Sequence, residues 1–361
     1  MNRLSFNRID FSLLIPPILL VVISLATLFS IERVFFYQQL AFFGVSLFFY
    51  FIFLNIDYRV FGYYSKSIYV MILLLLLAVL FFGIEVNGAR SWFGFFGVHL
   101  QISELVKPFF IILMANFLSK SKMNMLAKYF LSFAIFLPIF FLIFKQPDLG
   151  TGAMYFGTLI GMLLMSGFPW KYFFFSAVVA LIPLPLIFRF LATYQKERLI
   201  TFFNTTADPT GSSYNAIQAL ISIGSGGFFG KGLGEGTQSV LRFLPERQTD
   251  FIFASISEGL GFIGGATVIC VLCFLLYKIY AKSRKIENTY EYLIVIGAFF
   301  LFLTQMVVNI GMNMGLVPII GITLPFVSYG GSSLLTSFII LGIISSINYE
   351  YSSRSKTIEI V

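Results

Sequence analysis

Residues 11–30 read FSLLIPPILLVVISLATLFS, a stretch without a single charged side chain. A helix of about 20 apolar residues is long enough to cross the hydrocarbon core of a bilayer. Comparable runs occur along the chain near 36–54, 67–84, 104–118, 129–144, 150–167, 171–191, 251–277, 291–312 and 328–347. The pattern predicts an all-α integral membrane protein with about ten transmembrane helices, in a single polytopic domain that spans residues 1–361.

The composition favours the same class of protein. Of the 361 residues, 58% are hydrophobic and only 11% are charged, whereas a soluble domain carries about 25% charged residues. This balance excludes a soluble enzyme, a secreted disulfide scaffold and a disordered chain. Cys270 and Cys273 form a C-x-x-C inside an apolar run, where a zinc or redox pair would lack polar access and further ligands. We interpret them as packed or lipid-facing residues.

Lys and Arg predict the orientation in the membrane. With a cytoplasmic N-terminus, fourteen of them fall on inner segments, whereas the short outer loops hold Arg33, Arg90 and Lys145. Because cytoplasmic loops are enriched in Lys and Arg, both termini are predicted to be cytoplasmic. Residues 192–250 then form one large extracytoplasmic loop between helices 7 and 8. The net charge of +8 is assigned to anionic membrane lipids and not to nucleic acid.

Four carboxylates lie at or just inside the end of an apolar run: Glu104, Asp148, Asp250 and Glu258. Ionisable groups at such depth are costly and usually mark a site or a pathway, although a paired structural charge is the alternative for each. For Asp250 we favour function, because perturbed carboxylates cluster at sites. Glu104 and Lys107 are three residues apart, so on a helix they share a face and can form an ion pair.

The predicted outer loop contains a glycine-rich run, GSGGFFGKGLGEG at 224–236, with Lys231 inside it. Glycine allows backbone N–H groups to approach an anion closely, and a flexible surface loop is the alternative. Carboxylates, cations and such a loop on one face suit a lipid-linked anionic substrate. Cations would hold a phosphate or diphosphate, and a carboxylate would act as general base on an attacking hydroxyl. These features do not separate catalysis from transport of the lipid.

Five ordered motifs carry a resemblance to a known family. Residues 244–254 (LPERQTDFIFA) resemble the LPE-x-x-TDFIFA signature of the SEDS family, which comprises shape, elongation, division and sporulation proteins. Further matches are NGAR at 87–90, QPDLGT at 146–151, GKGLG with GTQS at 230–239, and LPFVSYGGSS at 324–333. Within the family, GSSYN at 211–215 and LPER resemble the rod-shape branch more than the division branch.

The resemblance implies a peptidoglycan glycosyltransferase that polymerises lipid II at the outer face of the cytoplasmic (inner) membrane during cell elongation. It implies undecaprenyl-diphosphate-linked glycan as the other substrate and a class B penicillin-binding protein, a transpeptidase, as partner. Asp250 matches the family's essential aspartate and is our predicted general base. The candidate cavity and substrate-binding residues are Glu104, Lys107, Asp148, Arg198, Lys231, Arg242 and Ser328.

The sequence predicts no protein metal site, because His99, the single histidine, has no partner histidine or nearby cysteine. Whether a divalent cation, Mg²⁺ or Mn²⁺, holds the diphosphate stays open. Two other functions also stay open: a flippase that moves lipid II between leaflets, and a non-catalytic membrane scaffold for a transpeptidase. Against a flippase, the distinctive residues cluster on one face, whereas alternating access needs a midplane site reached from both sides.

Overall fold

The structure, a computed structural model, describes residues 9–86, 89–95, 98–120, 122–181, 189, 196 and 212–358. Its helices are α1 (Phe11–Ile31), α2 (Arg33–Asn55), α3 (Tyr58–Tyr63), α4 (Ser65–Phe82), α5 (Ile102–Leu105), α6 (Lys107–Lys120), α7 (Met125–Lys145), α8 (Leu149–Met165), α9 (Trp170–Leu181), α10 (Ser212–Ser225), α11 (Thr237–Val240), α12 (Ile252–Ser283), α13 (Thr289–Asn313) and α14 (Gly331–Ile358). Strands β1 (Ile84–Val86), β2 (Ala89–Phe95) and β3 (Val98–Gln101) form an antiparallel sheet in that order.

The all-α membrane fold is confirmed. Eight described segments are long and apolar enough to cross a bilayer: α1, α2, α4, α5 with α6, α7, α12, α13, and α14 as far as Glu350. Large apolar side chains such as Phe48 and Leu74 are more than half exposed on these helices, as expected where lipid replaces water. The run at 150–167 forms the shorter α8, and the run at 171–191 is described as far as Leu181. The count of ten and the loop topology therefore stay predictions.

Several helices begin at a polar side chain that satisfies a free backbone N–H group. Asp10 accepts the N–H of Ser12 at 3.2 Å before α1, and Asn124 accepts that of Ala127 at 2.8 Å before α7. Such N-caps are worth about 1 kcal/mol each. Asp148 caps α8 in the same way, through the N–H of Thr151 at 3.0 Å. One of the predicted site carboxylates thus also fixes where a helix starts.

The segment 192–250 differs from the expected loop, since its described part contains α10 and α11. Ala216, Ala219 and Ile223 recur at helical spacing on α10. Ala219 packs in a small separate core with Leu244 and two residues of the segment around the start of α12. At 14 residues, α10 is too short to cross a bilayer, so a search for long apolar runs does not find it. No strands were predicted from the sequence, whereas β1, β2 and β3 form an antiparallel sheet.

Candidate functional site

Asp250 lies just before α12, on backbone that α13 holds in place. Asn309 and Asn313, one turn apart on α13, donate side-chain N–H groups to the Asp250 carbonyl oxygen at 3.0 and 2.9 Å. The Asn313 side-chain oxygen accepts the N–H of Ala254 at 3.1 Å. Both asparagines are buried, where an amide without a partner is costly. The pair fixes the TDFIFA segment, and the sequence analysis missed it although NIGMN interrupts an apolar run.

The loop between α13 and α14 contacts the same segment from another side. The Ser328 hydroxyl donates to the Thr249 carbonyl and accepts the N–H of Leu324, both at 2.7 Å. The N–H of Tyr329 donates to the Gln248 carbonyl at 2.8 Å. The hydroxyl of Ser328, a predicted cavity residue, is thus hydrogen-bonded to backbone next to Asp250. Its contacts are those of a positioning residue.

The Asp250 side chain is half-buried and lies against Gly321. A Cβ atom built on Gly321 would be 3.4 Å from Asp250 Oδ2. Gly150, in the first turn of α8, approaches the same backbone: its Cβ would be 2.4 Å from the Ile320 carbonyl oxygen and 3.1 Å from that of Gly321. The QPDLGT motif and the Asp250 carboxylate therefore meet across two residues of the α13–α14 loop.

Asp148 uses both carboxylate oxygens within this region. Oδ1 accepts the N–H of Thr151, and Oδ2 accepts the Gln101 side-chain N–H at 2.8 Å and the Ser103 hydroxyl at 3.4 Å. The side chain is half-buried. Asp148 therefore connects the start of α8 to the end of β3 and to α5, close to the loop that touches Asp250.

Glu104 and Lys107 form the ion pair that their spacing predicts. Lys107 Nζ lies 2.5 Å from Glu104 Oε1, and the two residues are only 2% and 7% exposed. Glu104 Oε2 is buried and has no hydrogen-bond partner among the residues that the structure describes. The Thr336 hydroxyl donates to the Glu104 carbonyl at 3.1 Å, which ties α5 to α14.

Lys231 and Glu258 are also paired. Lys231 Nζ is 3.5 Å from Glu258 Oε1 and 3.2 Å from the Thr237 hydroxyl. Glu258 is fully buried and accepts the N–H groups of Gln238 and Ser239 at 2.9 Å, as well as the Ser239 hydroxyl at 2.7 Å. Its contacts are those of a paired structural charge that fastens the GTQS turn to α12. Lys231 remains partly exposed.

The glycine-rich run packs into a break in α12 at Gly261, whose φ is +67°. The N–H groups of Lys231 and Gly232 donate to the Glu258 and Gly259 carbonyls at 3.0 Å, and Phe262 N–H donates to the Gly227 carbonyl at 2.9 Å. A Cβ on Gly230 would lie 2.2 Å from the Gly259 carbonyl oxygen. Glycine is needed here for close backbone contact, and these two N–H groups of the run are not free to bind an anion.

The predicted cations are placed as follows. Arg242 has a 73% exposed side chain, with Nη2 at 3.4 Å from Glu32 Oε2. Arg198 lies outside the described residues. Arg247, which the sequence analysis did not select, is buried beside Glu32 three residues before Asp250. Its position inside the LPER motif was the available signal.

We expect Gly150→Ala to lower the activity of the site strongly while the protein still folds. The added methyl group would collide with the Ile320 carbonyl and displace the backbone under Asp250. A shift of about 1 Å at a reacting group can cost about 10²-fold in rate. Gly44→Ala is the matched control, because a Cβ there meets nothing within 4 Å. Equal turnover by the two purified variants would contradict the contact between α8 and the Asp250 site.

A mostly helical membrane protein that holds a partly exposed aspartate on immobilised backbone is a candidate membrane enzyme, and comparisons with known proteins give its family. The family profile described as cell cycle protein, FTSW_RODA_SPOVE, matches residues 7–353. Stage V sporulation protein E of Bacillus subtilis (strain 168) is 35% identical over 94% of this chain and 96% of its own length. Peptidoglycan glycosyltransferase RodA of Treponema pallidum (strain Nichols) is 34% identical over 81% of this chain and 84% of its own.

A solved structure, "Structural coordination of polymerization and crosslinking by a peptidoglycan synthase complex", matches with a TM-score of 0.81. The match has 26% identity and covers 95% of this chain and 98% of that one. The chain therefore belongs to the FtsW/RodA/SpoVE family, the SEDS family that its motifs indicate. It is a multi-pass protein of the cytoplasmic membrane and a glycosyltransferase, and its likeness to the RodA branch is supported by the Treponema relative.

Proposed function

We propose that this chain polymerises lipid II into peptidoglycan glycan strands at the outer face of the cytoplasmic membrane, with Asp250 as general base. The observation that carries the proposal is that Asp250 is partly exposed, on backbone held by Asn309, Asn313 and Ser328. A general base needs hydrogen-bond reach to the proton that it removes, and a fixed backbone supplies that reach without reorganisation. Relatives named peptidoglycan glycosyltransferase support the reaction class.

In the proposed mechanism, the growing glycan is linked through its anomeric carbon to lipid diphosphate. A sugar hydroxyl of the incoming lipid II attacks that carbon with inversion, and Asp250 takes the hydroxyl proton. The bond from carbon to diphosphate oxygen breaks, and the diphosphate leaves with the electron pair. Glycoside hydrolases protonate the leaving oxygen with a second carboxylic acid, but a diphosphate is a good leaving group without this help.

We propose that Asp148, Glu104 and Lys107 shape the cavity next to the reacting groups. Asp148 connects α8 to the end of β3, and the Glu104–Lys107 pair fixes α5 against α6. Gly150, two residues after Asp148, lies against the α13–α14 loop, and Thr336 of α14 donates to the Glu104 carbonyl. Their proposed role is to hold the helix ends open to a lipid substrate.

A divalent cation fits the donor chemistry of this site. No group of three or more candidate ligands occurs in the described part of the chain, but Mg²⁺ commonly uses one or two carboxylates together with substrate phosphates. Asp148 is the carboxylate that would hold Mg²⁺ or Mn²⁺ together with substrate phosphates, because Asp250 is the proposed base for the attacking hydroxyl. When bound, the ion would neutralise charge on the diphosphate.

We further propose a class B penicillin-binding protein as partner. The support is the similarity to a chain of a peptidoglycan synthase complex that coordinates polymerization and crosslinking. Crosslinking is a transpeptidase activity, and a new glycan strand is what such an enzyme would receive. The purified chain is therefore best assayed both with and without a transpeptidase partner.

The experiment that tests the function incubates the purified chain with labelled lipid II and separates the products by size. We expect long glycan strands, in greater amount with the partner. The same protein in vesicles distinguishes the other functions. Movement of lipid II between leaflets without polymer would favour a flippase, and neither product nor movement would favour a scaffold.

A further inference from the structure

The turn before Asp250 holds a buried arginine that the proposed mechanism does not use. Arg247 is 5% exposed, and its Nε has no hydrogen-bond partner among the described residues. Its ion-pair contact is from Nη2 to Glu32 Oε2 at 3.5 Å, whereas charge-assisted hydrogen bonds are about 2.7–2.9 Å long. Burial, followed by the neighbouring Arg242, lowers the pKa of Arg247, which Glu32 opposes. A buried cation with so little compensation is costly.

Glu32 is shared between two arginines. The same oxygen, Oε2, lies 3.4 Å from Nη2 of Arg242, so one carboxylate faces two guanidinium groups. Glu32 is the residue between α1 and α2, and Arg242 is largely exposed. The cluster therefore keeps a net positive charge and extends from the buried Arg247 to the surface at Arg242.

The backbone around the two arginines is strained. Arg242 and Glu246 have φ values of +65° and +49°, in the left-handed region that non-glycine residues rarely adopt. Such strain clusters at ligand clamps. The N–H groups of Thr249 and Phe251 both donate to the Glu246 carbonyl, at 3.1 and 3.2 Å. This turn brings Arg247 closer to Asp250 than the about 11 Å that three residues of extended chain would span.

We propose that Arg247 and Arg242 bind the diphosphate of the lipid-linked sugar, and that Glu32 occupies this arginine pair while no substrate is bound. The inference rests on the proposed function, because it gives the leaving group of that reaction its binding site. A diphosphate offers several oxygens to the forked donors of guanidinium groups. A single carboxylate oxygen at 3.4 and 3.5 Å does not satisfy them. Substrate would then displace Glu32.

The test measures the binding of geranylgeranyl diphosphate, a lipid diphosphate without a sugar, to the purified full-length protein. We expect Arg242→Gln and Arg247→Gln to weaken binding by about ten-fold each, because each removes a charge-assisted contact. We expect Glu32→Gln to tighten binding by about three-fold or more, because it removes the internal competitor. Arg33→Gln is the matched control. Arg33 is exposed beside Glu32 and its guanidinium lies over the Phe29 ring.

Opposite effects of Glu32→Gln and Arg242→Gln, with Arg33→Gln close to wild type, would support the proposal. If the pair were only structural, both variants would bind more weakly or both would bind normally, and either result overturns the inference. Arg242 is exposed and Glu32 is half-buried, so this comparison does not depend on the folding of the buried Arg247 variant. If Glu32→Gln tightens binding and Arg242→Gln weakens it, but the protein does not polymerise lipid II, the proposed function is rejected and the diphosphate site is retained. Normal polymerisation with unchanged binding would reject the site alone.

Discussion

Asp250→Asn is expected to fold and insert normally and to lose polymerisation of lipid II by about 10²–10⁴-fold, the usual contribution of a general base. Asparagine has nearly the shape of aspartate but cannot accept the proton. Asn309 and Asn313 hold this position through hydrogen bonds to the Asp250 carbonyl oxygen. Those hydrogen bonds survive the change. The variant therefore separates chemistry from structure.

The measurement compares glycan made from labelled lipid II by wild type, Asp250→Asn and Glu85→Gln, each with the transpeptidase partner. Glu85→Gln is the control because it removes a carboxylate from an exposed position on β1. Equal thermal stability of the three proteins would show that folding is unaffected. Long glycan from Asp250→Asn at the wild-type rate would remove the general-base assignment. It would favour a role for the partner in the reaction.

Lys107→Ala is expected to destabilise the protein by about 3–5 kcal/mol, because it leaves a buried carboxylate without its partner. The Glu104 side chain has one oxygen on Lys107 and a second that is buried without a hydrogen bond among the described residues. Removing the Lys107 ammonium group would leave the buried Glu104 carboxylate without its ion-pair partner. We expect a lower melting temperature in detergent. Lys285→Ala, at an exposed position, is the control for loss of a cation.

The double variant Glu104→Leu with Lys107→Met separates the two roles of the pair. Replacing a buried ion pair by apolar residues of similar size is often neutral for stability, so we expect the melting temperature to recover. We expect polymerisation to stay low, because the proposed cavity loses its charges. A double variant that is both stable and fully active would show that the pair serves the fold alone.

The sequence predicted those features that follow from the type and spacing of nearby residues. Long uncharged runs predicted the membrane helices, and the spacing of Glu104 and Lys107 predicted their ion pair. Asp250 stood out because it is a carboxylate at the edge of an apolar run. Each inference needs only the period of a helix or the cost of a charge in lipid.

The rest depends on contacts between residues far apart in the chain. The local sequence does not show that Asn309 and Asn313 donate to a carbonyl some sixty residues earlier. Nor does it show that Glu32 contacts Arg242, 210 positions later in the chain, and Arg247. The glycine-rich run suggested an anion site because the sequence is the same whether its N–H groups are free or are hydrogen-bonded to a distant helix. Lys231 and Glu258 were both noticed, but their pairing was not.

The break at Gly261 has a consequence for how the chain enters the bilayer. In hydrocarbon, each backbone group that loses its helical hydrogen-bond partner costs several kcal/mol, so a membrane helix is interrupted only where other groups supply the missing partners. Here Phe262 N–H and the carbonyls of Glu258 and Gly259 are supplied with partners by residues 227–232. The helix can therefore change direction at Gly261 without exposing these polar backbone groups to lipid tails. The turns before Gly261 are buried and held by Asn313 and Glu258, whereas the long apolar part of α12 after the break can cross the membrane.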